Sequence, residues 1–207
     1  AASFVIGFLF TIKLPNPVQE KELTPGTTKT VILKNKFLFL SLLLRHIGAA
    51  AVWTILPIMI VEKLGGELYH ISIVYVANTM TAFILMNVMA SKIHLSNVTK
   101  FKIGIGFTTF VFVGLSIVTE WWMAMPFMAL VGATWAFLFI GGNFHLMENN
   151  PKSTSTGIFS STLSIATVIG PIIAGSVAFL FDYVAVMYFA IAIIIVAFVV
   201  SLKIKNK

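Results

Sequence analysis

Between Phe37 and Val61 the only fully charged side chain is Arg45, and between Tyr183 and Leu202 there is none. An apolar run of about 20 residues, rising about 1.5 Å per residue, matches the thickness of a bilayer's hydrocarbon core. In that medium every backbone N–H and C=O needs a protein partner, which a helix supplies within its own segment. A transmembrane β-barrel would show short strands of alternating polarity instead, and these continuous runs exclude it. Over the whole chain 58% of residues are hydrophobic and 10% charged, against roughly 25% charged in a soluble domain. The fold class is therefore all-α, a polytopic bundle of transmembrane helices.

Six full spans are predicted, over residues 36–62, 71–93, 101–119, 121–147, 154–181 and 183–202. The short gaps between them imply antiparallel neighbours, and residues 36–207 form one bundle. Residues 1–13 are apolar up to Lys13. They are too short to span, and they lack the basic region and cleavage site of a signal peptide. They read as the end of a truncated transmembrane helix. Residues 14–35, with Pro15, Pro17 and Pro25 among polar neighbours, read as a linker loop.

The placement of lysines sets the orientation. Lys13, Lys21, Lys29, Lys34, Lys36, Lys92, Lys100, Lys102, Lys152, Lys203, Lys205 and Lys207 all fall at one face of a six-span bundle, and only Lys63 falls at the other. The positive-inside rule makes the lysine-rich face cytoplasmic, with both ends of the chain there. The expected location is the cell membrane, with the lipid bilayer as first partner. Trp121 and Trp122 sit together at a span start, where an interfacial belt lies.

The stretch LLRHIGAAAVWTILPIMIVEKLGGELYHISIVYVANTM, with Arg45, Gly48, Pro57 and Gly65 in that order, resembles the first two helices of a half of a major facilitator superfamily transporter. PKSTSTGIFSSTLSIATVIGPIIAGSV resembles that family's eleventh helix, through Gly157, Ser160, Ser161, Gly170, Pro171 and Gly175. With six spans and a basic loop in front, the resemblance covers the chain as the C-terminal six-helix half. It implies small-solute transport by alternating access, a central cavity lined by a half's first, second, fourth and fifth helices, and a further N-terminal six-helix half. The family's loop motif Gly-x-x-x-Asp-Arg-x-Gly-Arg-Arg aligns here with NVMASKIHLS. Asn87 stands for the first glycine, Ser91 for the acid, Lys92 for the arginine and His94 for the second glycine. Only the basic position is kept, so the resemblance leaves Lys92 as that loop's gating candidate.

Individual residues give a parallel picture. Proline in a helix removes a hydrogen bond and crowds the preceding turn, so Gly170-Pro171 in the middle of an otherwise spanning segment predicts a kink. Ala166, Gly170, Ala174 and Ala178 recur every fourth residue, a small-residue ridge for close approach of another helix. On the neighbouring face Ser160, Ser164, Thr167 and Pro171 follow helical spacing. Their hydroxyls are expected to satisfy carbonyls freed by the proline and to face polar space. The kink is either structural only, or the wall of a moving cavity in which Gly170, Pro171 and Gly175 act as the flexible points. Arg45 lies about 13 Å into its span. It is a candidate for substrate or gating contact, against the alternatives of snorkelling to headgroups or pairing with the N-terminal half. His46 beside it is a packing residue or a titrating one. Asn78, Thr81 and Asn143 can hydrogen-bond a substrate or join helices. Trp53 and Trp135, inside spans, can pack or stack on a substrate.

All seven acids lie in loops or at span ends. A proton-coupled cycle would therefore draw its carboxylate from the N-terminal half unless His46 serves. The four histidines show no paired metal-ligand spacing, there is no cysteine, and no nucleophile has an evident base. No metal, cofactor or enzymatic activity is expected. The basic residues are spread over loops without aromatic interleaving, which excludes a nucleic-acid surface. The rival to transport of a small-molecule substrate is a non-transporting structural subunit of a larger membrane complex.

Overall fold

The computed structural model describes residues 27–91 and 93–205, and the expectations for residues 1–26 and for Lys92 lie outside them. The helices are α1 (Thr27–Lys34), α2 (Lys36–Glu62), α3 (Leu68–Ser91), α4 (Asn97–Ser116), α5 (Ala124–Asn149), α6 (Lys152–Leu180) and α7 (Tyr183–Ser201), with a 3-10 turn at Trp121–Met123 before α5. The six from α2 to α7 are each long and apolar enough to cross a membrane. Among the described residues there is no strand.

Local chemistry sets the boundaries. Gly65 has a left-handed φ of 64°, which reverses the chain after α2 at a position where a Cβ would be strained. The N–H of Gly66 then donates back to the Ile60 carbonyl at 2.8 Å. Ser96 caps α4 by accepting from the Thr99 N–H at 3.1 Å, so α4 begins at Asn97 and takes in polar residues that hydropathy leaves in the loop. Asp182 caps α7 by accepting from the Ala185 N–H at 2.7 Å. Within the stretch expected as linker, Thr27–Lys34 is helical. It buries Val31 and packs against α6.

The ends of the helices segregate by charge. At one end Lys102 donates to the Ile204 carbonyl at 2.8 Å, and Asn97 donates to Glu148. At the other the Trp121 N–H donates to the Leu64 carbonyl at 3.0 Å, Tyr183 donates to Glu62 at 2.8 Å, and Lys63 pairs with Asp182 at 3.7 Å. Lys34, Lys36, Lys100, Lys102, Lys152, Lys203 and Lys205 belong to the first end and Lys63 to the second, as the sequence predicts.

The helices pair in a pattern that repeats. α2 packs on α6 and α7; α5 packs on α3 and α4; α4 packs on α7. Exchanging α2, α3 and α4 for α5, α6 and α7 leaves these pairings unchanged. Because each helix crosses in the opposite sense to its counterpart, the two triplets are inverted repeats. Lipid tails are as apolar as leucine, so close van der Waals contact holds such helices together rather than release of water. Small residues permit it at the equivalent crossings. A Cβ on Gly170 would come within 2.7 Å of the Ile47 carbonyl of α2, and one on Gly132 within 2.2 Å of the Asn78 carbonyl of α3.

The outer helices of this pattern are unequally covered. Buried residues make up 67% of α2's most apolar stretch but 11% of that in α3 and 17% of that in α6. α3 and α6 occupy equivalent places in the two triplets.

Candidate functional site

Where α2, α4 and α5 meet, the bundle encloses a cation. Arg45 has no exposed surface, so it does not snorkel to the headgroups. Its Nε and Nη2 donate to Thr108 Oγ1 of α4 at 3.3 and 3.1 Å. Thr108 in turn donates to the Gly104 carbonyl at 2.7 Å. The guanidinium carbon lies 5.7 Å from the centroid of the Trp135 ring of α5, where the negative face of the indole attracts it. No carboxylate among the described residues pairs with it: the single ion pair found there is Lys63–Asp182, at the far end.

His46 lies between the two tryptophans. Its ring is 5.3 Å from Trp53, edge to face, and 5.5 Å from Trp135. The aromatic layer continues from Trp135 to Phe139 and from Phe139 to Phe159 of α6. Of this group Arg45 and His46 are buried, while Trp53 and Trp135 keep part of their surface open. Among the described residues Arg45 Nη1, His46 Nδ1 and Trp53 Nε1 are buried with no hydrogen-bond partner. Buried polar groups are ordinarily paired, so three unsatisfied atoms in one aromatic cluster mark its polar capacity.

The structure thus brings together Arg45, Trp53 and Trp135 of the sequence candidates, with His46 among them. It adds Thr108, which the sequence reading missed. The available signal was spacing: Thr108 follows Gly104 by one helical turn, on the face that packs against α5 at Thr134 and Leu138.

The other candidates lie elsewhere. Ser160, Ser164 and Thr167 are exposed on α6. Ser164 donates to the Ser160 carbonyl at 3.1 Å and Thr167 to the Ser164 carbonyl at 2.7 Å. These bonds lie before the Thr167 carbonyl that Pro171 frees, so the expectation that these hydroxyls cover the freed carbonyl is corrected: they return to carbonyls of the preceding turns. The helix runs unbroken through Pro171 from Lys152 to Leu180. The small-residue ridge behaves as expected, with Ala166, Gly170 and Ala174 buried and Gly170 against Ile47, Ala50 and Ala51. Gly175 meets nothing within 4 Å of where a Cβ would be.

Asn78 and Thr81 on α3 are half-buried, and the Asn78 backbone forms the contact with Gly132. Asn143 is buried and donates to the Phe139 carbonyl of its own helix at 3.2 Å.

A proline in α2 is answered from a neighbouring helix. Pro57 has no N–H for the Trp53 carbonyl one turn earlier. The Tyr75 hydroxyl of α3 donates to that carbonyl at 3.0 Å. Tyr75 therefore joins α3 to α2 beside the aromatic cluster.

The described residues contain no group of three or more His, Cys, Asp or Glu arranged to hold a metal ion. No protein-family model matches the chain and no curated protein matches it, so the assignment of function rests on the geometry above.

Proposed function

We propose that this chain is the C-terminal six-helix half of a major-facilitator-type secondary transporter, moving a small solute across the cell membrane by alternating access. One observation carries the proposal: α3 and α6, equivalent in two inverted triplets, are the least covered helices, and α6 carries a row of hydroxyls among the apolar side chains of its open side. Inverted repeats around a midplane site are a recurrent transporter architecture. Serines and threonines along α6, with Thr79 and Ser72 exposed on α3, suit a wall facing a water-filled path better than one facing acyl chains.

The six-helix N-terminal half would close the path from the other side. Trp53 and Trp135 form the aromatic surface for the apolar part of a solute, with Arg45 and His46 behind them. Thr108 and Trp135 hold Arg45 in place, so Arg45 acts as a positioning residue for the indole. The lysine-rich face of the bundle is cytoplasmic in this proposal, and both ends of the chain lie on that side.

These 207 residues contain no cysteine, so an introduced one is the sole thiol among them, and the unsubstituted protein serves as the labelling control. Ser164→Cys and Thr167→Cys on α6 are expected to react with a membrane-impermeant maleimide from each side of the membrane in turn. Solute would shift the balance between the two sides. A residue facing lipid or a static partner would label from neither side, or from one side regardless of solute, and that result would favour a structural subunit of a larger membrane complex.

A further inference from the structure

The lysine-rich end holds a second site, separate from the path between α3 and α6. A pocket of about 280 Å³ opens between the start of α2 and the end of α7, with Lys34, Lys203 and Lys205 on its wall and Phe37, Leu38 and Ile204 beneath. Among the described residues none that lines it is acidic. The ammonium groups of Lys36 and Lys203 both lie over the Phe37 ring, at 5.2 and 5.5 Å from its centroid. Lys102 holds the turn that presents Lys203 and Lys205, through its 2.8 Å bond to the Ile204 carbonyl.

We propose that this pocket binds the headgroup of an anionic phospholipid. Three features support that choice. The pocket lies where α2 begins and α7 ends, the depth at which headgroups meet a spanning helix. Its cations are on the rim and its apolar groups below, the order in which a phosphodiester gives way to glycerol and acyl chain. Basic pockets at helix ends on one membrane face attract anionic headgroups by charge.

On the other side of the same turn, a groove of about 420 Å³ runs between α4 and α7 past Lys102, Ile103, Phe107, Phe110, Phe198 and Leu202. Almost all of its surface is apolar, and it offers an acyl chain a track along the outer wall of the bundle. A lipid seated there would tie α2, α4 and α7 together at one end, leaving α3 and α6 free.

The test is native mass spectrometry of the purified full-length protein, loaded in detergent with phosphatidylglycerol or phosphatidylcholine. Phosphatidylglycerol is expected to be retained and phosphatidylcholine lost. Lys203→Gln with Lys205→Gln is expected to weaken retention about fivefold for each lysine removed. Lys63→Gln, at the opposite end, leaves it unchanged. Lys205→Gln alone, at an exposed position, repeats the test should the double variant unfold. Equal retention of the two lipids overturns the proposal, as does undiminished phosphatidylglycerol binding in the lysine variants. Displacement by millimolar inorganic phosphate at constant ionic strength would assign the pocket to a free anion and overturn the lipid.

Discussion

The two inverted triplets share a packing plan and differ in what they place inside it. α2 carries a buried arginine, a histidine and a proline whose freed carbonyl is covered by Tyr75. Its counterpart α5 contributes Trp135 to the same cluster and no fully charged side chain before Glu148 near its end. Both open helices expose large apolar side chains, such as Phe83 and Ile84 on α3 and Val168 and Ile172 on α6, but α6 adds a longer row of exposed hydroxyls and a proline. The scaffold is repeated, but the polar chemistry is concentrated on one copy of each helix pair. Packing requirements act on both copies alike, since the same crossings must close, whereas a binding surface needs its polar groups in one place only.

The crossings give the largest test of this comparison. Gly132→Leu and Gly170→Leu both force a side chain against backbone of the facing helix, which cannot rotate away. Each is expected to cost about 3 kcal/mol, seen as a lowered midpoint in thermal unfolding in detergent, with Gly132 the worse because its contact is closer. Gly175→Leu has open space around it and is expected to be neutral. A neutral Gly132→Leu would break the equivalence of the two crossings.

The buried cation gives a smaller effect with an informative sign. Thr108→Val leaves Arg45 enclosed without its acceptor and is expected to destabilise by about 2 kcal/mol. Arg45→Met removes the charge and keeps an apolar body of comparable length, so stability is expected to hold or rise. In the double variant the Thr108→Val cost should vanish. The same cycle read by solute transport separates roles, because Arg45→Met would impair transport while leaving the melting curve intact.

The proline relay is the smallest. Tyr75→Phe removes one bond in lipid and is expected to cost about 0.6 kcal/mol. Pro57→Ala restores the backbone donor for the Trp53 carbonyl. Tyr75→Phe in that background should therefore be silent, and an undiminished cost there would mean that the tyrosine stabilises through something other than the freed carbonyl.

The six spans were legible in the sequence because a bilayer imposes one length and one polarity on every segment. Their ends were less so: hydropathy does not register that Ser96 starts α4 before the apolar run begins. The ridge of Ala166, Gly170 and Ala174 was legible because four-residue spacing is local. The partner of Arg45 was not, since Thr108 lies 63 residues away on a helix whose rotation only packing decides. The same holds for Tyr75, 22 residues from the carbonyl it covers. The hydroxyls of α6 were correctly placed on one face but given the wrong acceptors, because a serine reaches back to the turn before it more easily than forward to the one a proline disturbs.

An architecture made of two upside-down copies has no intrinsic top or bottom. Turned over, the backbone of one triplet would stand where the other had stood, and the bilayer would solvate either arrangement equally. What breaks the tie is a handful of residues that the copies do not share. α4 opens with Lys100 and Lys102 where its counterpart α7 opens with Asp182, and α6 opens with Lys152 where α3 opens with Leu68. Vectorial insertion during synthesis is thus encoded apart from the fold, in a few side chains at the helix ends. Moving an exposed lysine such as Lys152 to the opposite end is expected to leave the packing unchanged and to favour the reversed sidedness.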